Sequence, residues 1–442
     1  MNKLVIKNKK IRNFNKQIRV TGDKSLSIRW ILLSSIASGT SKATNLLMSE
    51  DVIAAITAIK KLGIKVIVRK NFCKVFGKGV NGYSYRKNIT INAMNSGTLG
   101  RLLLGLLIDT PYKIKLIGDK SLSRRDFNRI AEPLSKFGAK FKLNKNKGLP
   151  LTIEGANHFN SLNYIENRGS AQCKSSMMLA AIKTKSLIKI KAKKSRNHTE
   201  LLFQNLNLPI TIKKSKNYDF IKINPVKKIP PINYKIPSDI SSATFFMVLA
   251  SLSKRSSLII KDVNINPSRI GAIIILKKMG IKINFLNKRI YKGEKIADLL
   301  IKSCQKIKPI NCPTNLNSGA IDEFLVLFLV AAKASGTSYF KDIAEMNQKE
   351  SPRLIWGSKI LNQMGIKTVL SKNSIKIFGN PNIKINKKIT IKDYLKDHRV
   401  FMTCVIAAYS FGGEWEIHNK DSINTSFPTF LKIINNLEDG SS

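Results

Sequence analysis

Acidic side chains are scarce in this chain. Only 27 Asp and Glu stand against 77 Lys and Arg in 442 residues, a formal net charge of +50. Long apolar runs are missing too. The longest, residues 324–332, falls well short of the roughly 18 residues that a membrane-spanning helix needs. The basic opening MNKLVIKNKKIRNFNK lacks the apolar core of a secretory signal. Five cysteines (Cys73, Cys173, Cys304, Cys312 and Cys404) form no CxxC pair and are odd in number. That argues against a disulfide framework or a zinc site and for a reducing cytoplasm. Four histidines offer no metal cluster. With 43% apolar residues, the chain is globular and long enough for two or three domains.

A charge of this size invites a nucleic-acid role. The lysines, however, run from KNKK at the start through KKSK near residue 215 into the C-terminal third, with abundant Asn and Ile beside them. That is compositional drift, not one recognition stripe. The expected partners are small anions drawn into a basic cleft, with no nucleic acid and no membrane.

What the chain does contain is a repeat. Six segments begin at Lys24, Asn95, Ser170, Asp239, Ile321 and Asp397, spaced by 71, 75, 69, 82 and 76 residues. Each opens on small or polar residues, continues through about ten apolar ones, turns, and enters a β-like run; the interval marks one supersecondary unit used six times. The apolar stretches predict helices buried on nearly every side. A second, more amphipathic helix follows, as in SEDVIAAITAIKKLGIKVIV and SPRLIWGSKILNQMGIKTVL, and ends in a glycine cap before a strand. The unit is βαβαββ, in an α/β protein of two lobes with three units each. The lobes are residues 22–238 and residues 1–21 plus 239–442, joined by a two-strand hinge near 21 and 238. IKNKKIRNFNKQIRV predicts a strand pair belonging to the second lobe.

The helix openings carry the chemistry. GDKSLSIR (22–29) and GDKSLSRR (118–125) agree at seven of eight positions. The first heads a buried helix and the second an amphipathic one, so duplication alone does not explain them. An Asp or Ser N-cap, free backbone N–H groups and a nearby Lys or Arg make an anion site. Either copy alone is equally an ordinary turn with an N-cap. NSGT (95–98), SAQCKS (170–175), KSRNHTE (194–200), KESPR (349–353) and DHR (397–399) also sit at expected helix starts. Taken together they suggest substrates carrying at least two phosphates or carboxylates.

The ordered motifs GDKSLSIR, NSGTLGRLL, GDKSLSRR, SAQCKS, SRNHTE, DISSATFF, NPSRIG, IDEFLVL, EMNQKESPRL, DHRVFM and SFPTF span nearly the whole chain. In them the chain resembles the enolpyruvyl transferases, and among these the members acting on shikimate 3-phosphate. The resemblance implies the family's inside-out α/β barrel, two lobes of three βαβαββ units closing on shikimate 3-phosphate and phosphoenolpyruvate. It implies no metal and no organic cofactor, and a cytoplasmic monomer is expected. Lys24, Ser25 and Arg29 match positions that hold shikimate 3-phosphate, with Lys24 also near phosphoenolpyruvate. Asn95, Gly97 and Arg125 match phosphoenolpyruvate positions. Ser170, Ala171, Gln172 and Ser195 match the wall around the ring and its phosphate, Gln172 facing both ligands. Asp322, Glu345 and Lys349 match contacts to the shikimate side, and Arg353 and Arg399 match a phosphoenolpyruvate clamp. Asp322 is the implied base on the 5-hydroxyl and Glu350 the implied proton carrier for the methylene, with Lys24 as the third catalytic group.

The chain departs from the family pattern at Ile28, Asn197, Leu325 and Pro352, and at Thr425, where some members have a lysine that contacts phosphoenolpyruvate. Proline suits the first turn of a helix. A UDP-N-acetylglucosamine enolpyruvyl transferase would bring a reactive cysteine on a flexible loop, whereas Cys173 and Cys73 read as packing residues. An RNA 3′-phosphate cyclase would suit the charge but not both GDKS motifs together with KES and DHR. His398 reads as structural.

Overall fold

The six apolar openings become six helices: α1 (Lys24–Ser35), α2 (Gly97–Leu106), α3 (Ala171–Lys183), α4 (Ile240–Leu252), α5 (Phe324–Ala332) and α6 (His398–Phe411). They are seen in a computed structural model that describes residues 2–69, 72–159 and 161–438. Every residue of α4 and α5 is buried, and in α6 every residue but Arg399. Helices that are apolar all round are buried all round. The amphipathic second helices, such as Glu50–Lys61, Gly271–Lys278 and Arg353–Gln363, bury one face only. The glycines just beyond three of them adopt positive φ (Gly63 +83°, Gly280 +94°, Gly365 +87°), the left-handed turn that hands a helix over to a strand.

Helices α2, α3 and α6 each cross between two parallel strands that are neighbours in one sheet. Around α2 the sheet order is Ile89–Asn92, Ile114–Ile117, Leu151–Glu154, Lys140–Leu143; the first pair is parallel, the rest antiparallel. Around α3 the order Leu162–Glu166, Ile188–Lys193, Tyr218–Ile223, Ile210–Lys214 repeats that scheme. The sheet around α1 takes its first strand, Tyr234–Lys235, from far downstream and places it parallel to Ser38–Thr44. These three sheets form a contiguous unit, Gly22–Ile236, which also includes Lys292–Glu294. The three later residues belong there because Glu294 meets buried His198 (Oε1 to Nδ1, 2.6 Å) and Gly293 packs on Leu201. Gly105 has no room for a side chain, since a Cβ would lie 2.2 Å from Ser176 O. Its absence lets α2 and α3 meet backbone to backbone.

The second, split unit is Met1–Thr21, Pro237–Tyr291 and Lys295–Ser442, again with three sheets. Its N-terminal strands do not pair with each other as the sequence suggests. Lys3–Lys7 runs antiparallel to Glu414–His418, whereas Asn15–Ile18 joins Ser257–Asn264 in a different sheet. The stretch between them buries Ile11 and Phe14 in the apolar core, and that anchoring carries the chain from one sheet to the other. Phe246, Phe427 and Phe430 cluster there with ring centroids 5.6 to 6.0 Å apart. No helix among the described residues is long and apolar enough to cross a membrane.

Candidate active site

The two octapeptides share one local structure. Asp23 Oδ1 accepts from Leu26 N at 2.8 Å, and Asp119 Oδ1 accepts from Leu122 N at 2.7 Å. They then diverge. After Arg29 come apolar residues, and α1 continues. After Ser123 come Arg124, Arg125 and Asp126, and the helix stops at one turn, Lys120–Ser123. Asp126 Oδ1 accepts from the backbone N–H of Asn128 and Arg129, starting the separate helix Asn128–Ser135. The second octapeptide therefore does not head the amphipathic helix.

In the contiguous unit the shikimate-side residues of the sequence analysis fall around the starts of α1 and α3. Arg29 is 4% exposed and donates to Ser25 O (3.1 Å), Ser175 Oγ (3.1 Å) and Thr199 Oγ1 (2.9 Å). Lys24 Nζ lies 2.9 Å from Asp51 Oδ2. Ser170 caps α3 by accepting from Cys173 N at 3.3 Å, while its own N–H donates to Glu166 Oε2 at 3.0 Å. Ala171 is the first residue of that helix and half-buried. The Ser195 hydroxyl is buried and meets no protein partner among the described residues. Buried hydroxyls are rarely left so, and a ligand oxygen would complete this one.

The residues matched to phosphoenolpyruvate converge where the second octapeptide meets α2. Arg125 Nη2 donates to Asn95 Oδ1 at 2.9 Å, and Asn95 Nδ2 donates to Asp119 Oδ2 at 2.6 Å. A Cβ on Gly97 would lie 3.1 Å from Arg125 Nη1, so the glycine makes room for the guanidinium. Gln172 accepts from Arg101 Nη1 at 2.5 Å and donates to Thr98 Oγ1 at 3.1 Å. Arg101 is not among the residues expected here. The signal was present: a cation inside the apolar run NSGTLGRLL, one turn after Gly97 and on its face.

The split unit gathers its cluster around Arg353, which is 2% exposed. Arg353 Nε donates to Asp397 Oδ2 at 2.8 Å, Nη1 lies 3.6 Å from Asp322 Oδ1, and Nη2 donates to Glu350 Oε2. Burial alone would lower the arginine's pKa, but Asp397, Glu350 and Asp322 outweigh it and raise the pKa above its ordinary value. Lys349 Nζ stands 3.2 Å from Asp322 Oδ1, and Arg399 Nη1 donates to the Asp322 carbonyl at 2.7 Å. Asp397, fully buried, also accepts from Ser351 Oγ (2.9 Å) and Arg399 N (2.9 Å). Burial pushes its pKa up and Arg353 pulls it down further, so it ends below the usual carboxylate value. Asp397 was legible only as part of a helix opening, because it touches other site residues and caps α6. Pro352 is the cap residue preceding the Arg353 helix, outside its first turn. Glu345 is exposed on the 3₁₀ turn Ala344–Gln348 and joins none of these ion pairs. Thr425 Oγ1 donates to Ser422 O (2.9 Å) and lies 3.2 Å from His398 Nδ1.

Cys73 and Cys173 are buried, and burial raises both thiols, Cys73 to about 11. Neither is a ready nucleophile. Among the described residues no group of three or more His, Cys, Asp and Glu is arranged to hold a metal ion.

The family model of EPSP synthase (3-phosphoshikimate 1-carboxyvinyltransferase) matches residues 8–434. The chain is 36% identical over 426 residues to the 3-phosphoshikimate 1-carboxyvinyltransferase of Ruthia magnifica subsp. Calyptogena magnifica, covering 95% of this chain and 94% of that protein. It is 36% identical over 430 residues to the one from Thermoanaerobacter sp. (strain X514), covering 97% and 99%. A solved EPSP synthase from Acinetobacter baumannii aligns with TM-score 0.86 at 32% identity, covering 100% of this chain and 99% of that one. The enolpyruvyl transferase NikO from Streptomyces tendae shares the fold at TM-score 0.76 with 12% identity, covering 98% and 97%. The chain belongs to the EPSP synthase (3-phosphoshikimate 1-carboxyvinyltransferase) family.

Proposed function

We propose that the chain transfers the enolpyruvyl group of phosphoenolpyruvate to the 5-hydroxyl of shikimate 3-phosphate and releases inorganic phosphate. The observation that carries this assignment is the placement of Asp322 and Glu350 on one buried guanidinium, Arg353. The chemistry needs two carboxylates with opposite tasks held in fixed places. Asp322 takes the proton of the 5-hydroxyl as its oxygen attacks C2 of phosphoenolpyruvate. Glu350 delivers a proton to C3, and a tetrahedral adduct forms. A C3 proton then returns to Glu350, the C2–O bond to phosphate breaks, the departing phosphate takes up the proton held by Asp322, and the enol double bond is restored. Lys24, Arg125, Arg353 and Arg399 offset the carboxylate and phosphate charge as it shifts. Arg29, Ser170, Ala171, Ser195 and Lys349 hold shikimate 3-phosphate, with the Ser195 hydroxyl completed by a phosphate oxygen, and Gln172 serves both ligands. Glu345 reaches that ligand only if its exposed side chain turns inward.

The enzyme works as a cytoplasmic monomer, without metal or organic cofactor and without a nucleic-acid partner. Phosphate release is the direct test. Purified protein should turn over shikimate 3-phosphate with phosphoenolpyruvate and should ignore UDP-N-acetylglucosamine as acceptor. Turnover with the sugar nucleotide alone overturns the assignment.

A further inference from the structure

Two arginines of this chain are buried in opposite company. Arg353 has three carboxylates around it. Arg101, 9% exposed on α2, forms no ion pair among the described residues. Its Nη1 donates to Gln172 Oε1 at 2.5 Å and its Nη2 reaches Asp126 O at 3.5 Å, while the guanidinium lies 5.5 Å from the centroid of the Phe127 ring. Its Nε is buried with no protein partner. Burial, then the like charges of Arg129 and Arg125, lower its pKa to about 10. A purely structural side chain gains nothing from this arrangement, because an uncompensated buried cation destabilises the fold. Asp126 offsets this only in part, and an anion at the site would complete the compensation.

On the assignment of this cluster to phosphoenolpyruvate given above, we propose that Arg101 is a positioning residue for that substrate, fixing the Gln172 amide and adding positive charge behind Arg125. An arginine can only donate, so it accepts only one orientation of the glutamine amide. Gln172 Oε1 must face Arg101, which sends Nε2 towards Thr98 Oγ1 (3.1 Å) and leaves its second N–H to give to a ligand. Without the guanidinium, the amide can flip and present its carbonyl oxygen to an anion. Gly97 ties the two arginines together: a Cβ there would lie 3.1 Å from Arg125 Nη1 and 3.7 Å from Arg101 Nη1. The bare Cα leaves both cations near one small space.

Arg101→Lys keeps the charge but loses the planar fork, and Arg101→Met removes both. Each is made alone and with Gln172→Leu, and steady-state kinetics are measured with either substrate varied. The KM for phosphoenolpyruvate should rise about tenfold in Arg101→Lys and about a hundredfold in Arg101→Met, with that for shikimate 3-phosphate, which Gln172 also faces, rising by a clearly smaller factor. With Gln172→Leu already present, Arg101→Lys should add less than about threefold, because the amide it holds is gone. Ligand-free Arg101→Met should melt no lower than the parent, an outcome that a merely structural arginine does not give. The proposal is overturned if both KM values rise by the same factor, if the two substitutions are additive, or if the melting temperature falls while KM stays put. If the parent enzyme releases no phosphate at all, the assigned reaction falls. Arg101 is then judged by calorimetry with phosphoenolpyruvate: an unchanged Kd in the variants overturns the role, and a weakened one supports it.

Discussion

Arg353 and Asp397 form a fully buried pair, Nε to Oδ2 at 2.8 Å, on which the rest of the split unit's cluster is built. Removing the Asp397 charge leaves the guanidinium with weaker compensation. Asp397→Asn should cost about 3 kcal/mol, the low end for a broken buried pair, because Glu350 and Asp322 remain. At about 2–4 °C per kcal/mol for a unit of this size, melting should fall by about 6–12 °C. The folded pKa of Asp397 is depressed, so its stabilisation is present above the unfolded value of about 3.9 and is lost as pH falls through the folded one. The gap between parent and variant should be full near pH 7 and close below about pH 4. A gap that widens in acid contradicts the assigned charge states.

Gly97→Ala tests the space beside Arg125. The new Cβ meets the tip of a flexible side chain, so the protein should fold and melt normally. The displaced guanidinium should raise the KM for phosphoenolpyruvate about tenfold, since sub-ångström misplacement of a binding group is costly. The KM for shikimate 3-phosphate should hardly move. Equal loss on both substrates would show that Gly97 serves helix packing instead.

The arginines ending the two octapeptides should fail differently. Arg29→Ala removes three hydrogen bonds from a buried position and should cost about 2–4 kcal/mol of stability, together with a ten- to hundredfold rise in the KM for shikimate 3-phosphate. Arg125 is half-buried. Arg125→Ala should stay within about 1 kcal/mol of the parent, with the kinetic loss confined to phosphoenolpyruvate. Lost stability with unchanged KM values in both would reduce the octapeptides to helix caps.

Thr425 stands where some relatives carry a lysine, and its hydroxyl is already engaged by Ser422 O and His398 Nδ1. Thr425→Val should therefore alter the KM for phosphoenolpyruvate by less than about threefold, one neutral hydrogen bond being worth about 1 kcal/mol. A tenfold rise in that KM would make Thr425 a ligand contact.

Much of this was legible in the sequence because the signals are local. An Asp or Ser ahead of an apolar run specifies a cap, and Asp23, Ser96, Asp119, Ser170, Asp239 and Asp397 all accept a backbone N–H in this way. The interval between runs specified the repeat. What could not be read was set by partners distant along the chain. Lys3–Lys7 and Asn15–Ile18 read as a strand pair, but each finds its partner hundreds of residues away. The contacts of Arg101 to Gln172 and of Asp397 to Arg353 likewise form only where α2 meets α3 and the Arg353 helix meets α6. Glu345 sits at a matching position, yet its turn leaves it facing water.

The ends of the contiguous unit touch. A Cβ on Gly22 would lie 2.1 Å from Asn45 O and 2.8 Å from Ile236 Cγ2, and Ile236 N donates to Thr44 O at 3.0 Å. That unit's sheets can close as soon as residue 236 has left the ribosome. The strand Lys3–Lys7 has a different history: Lys3 meets Glu416, 413 positions later. At about 5–20 residues per second, that strand waits tens of seconds for its mate. An unpaired strand invites the wrong neighbour, and charge is the usual guard. Lys3 and Lys7 put such charge on the strand itself, and Lys9 and Lys10 follow just beyond it.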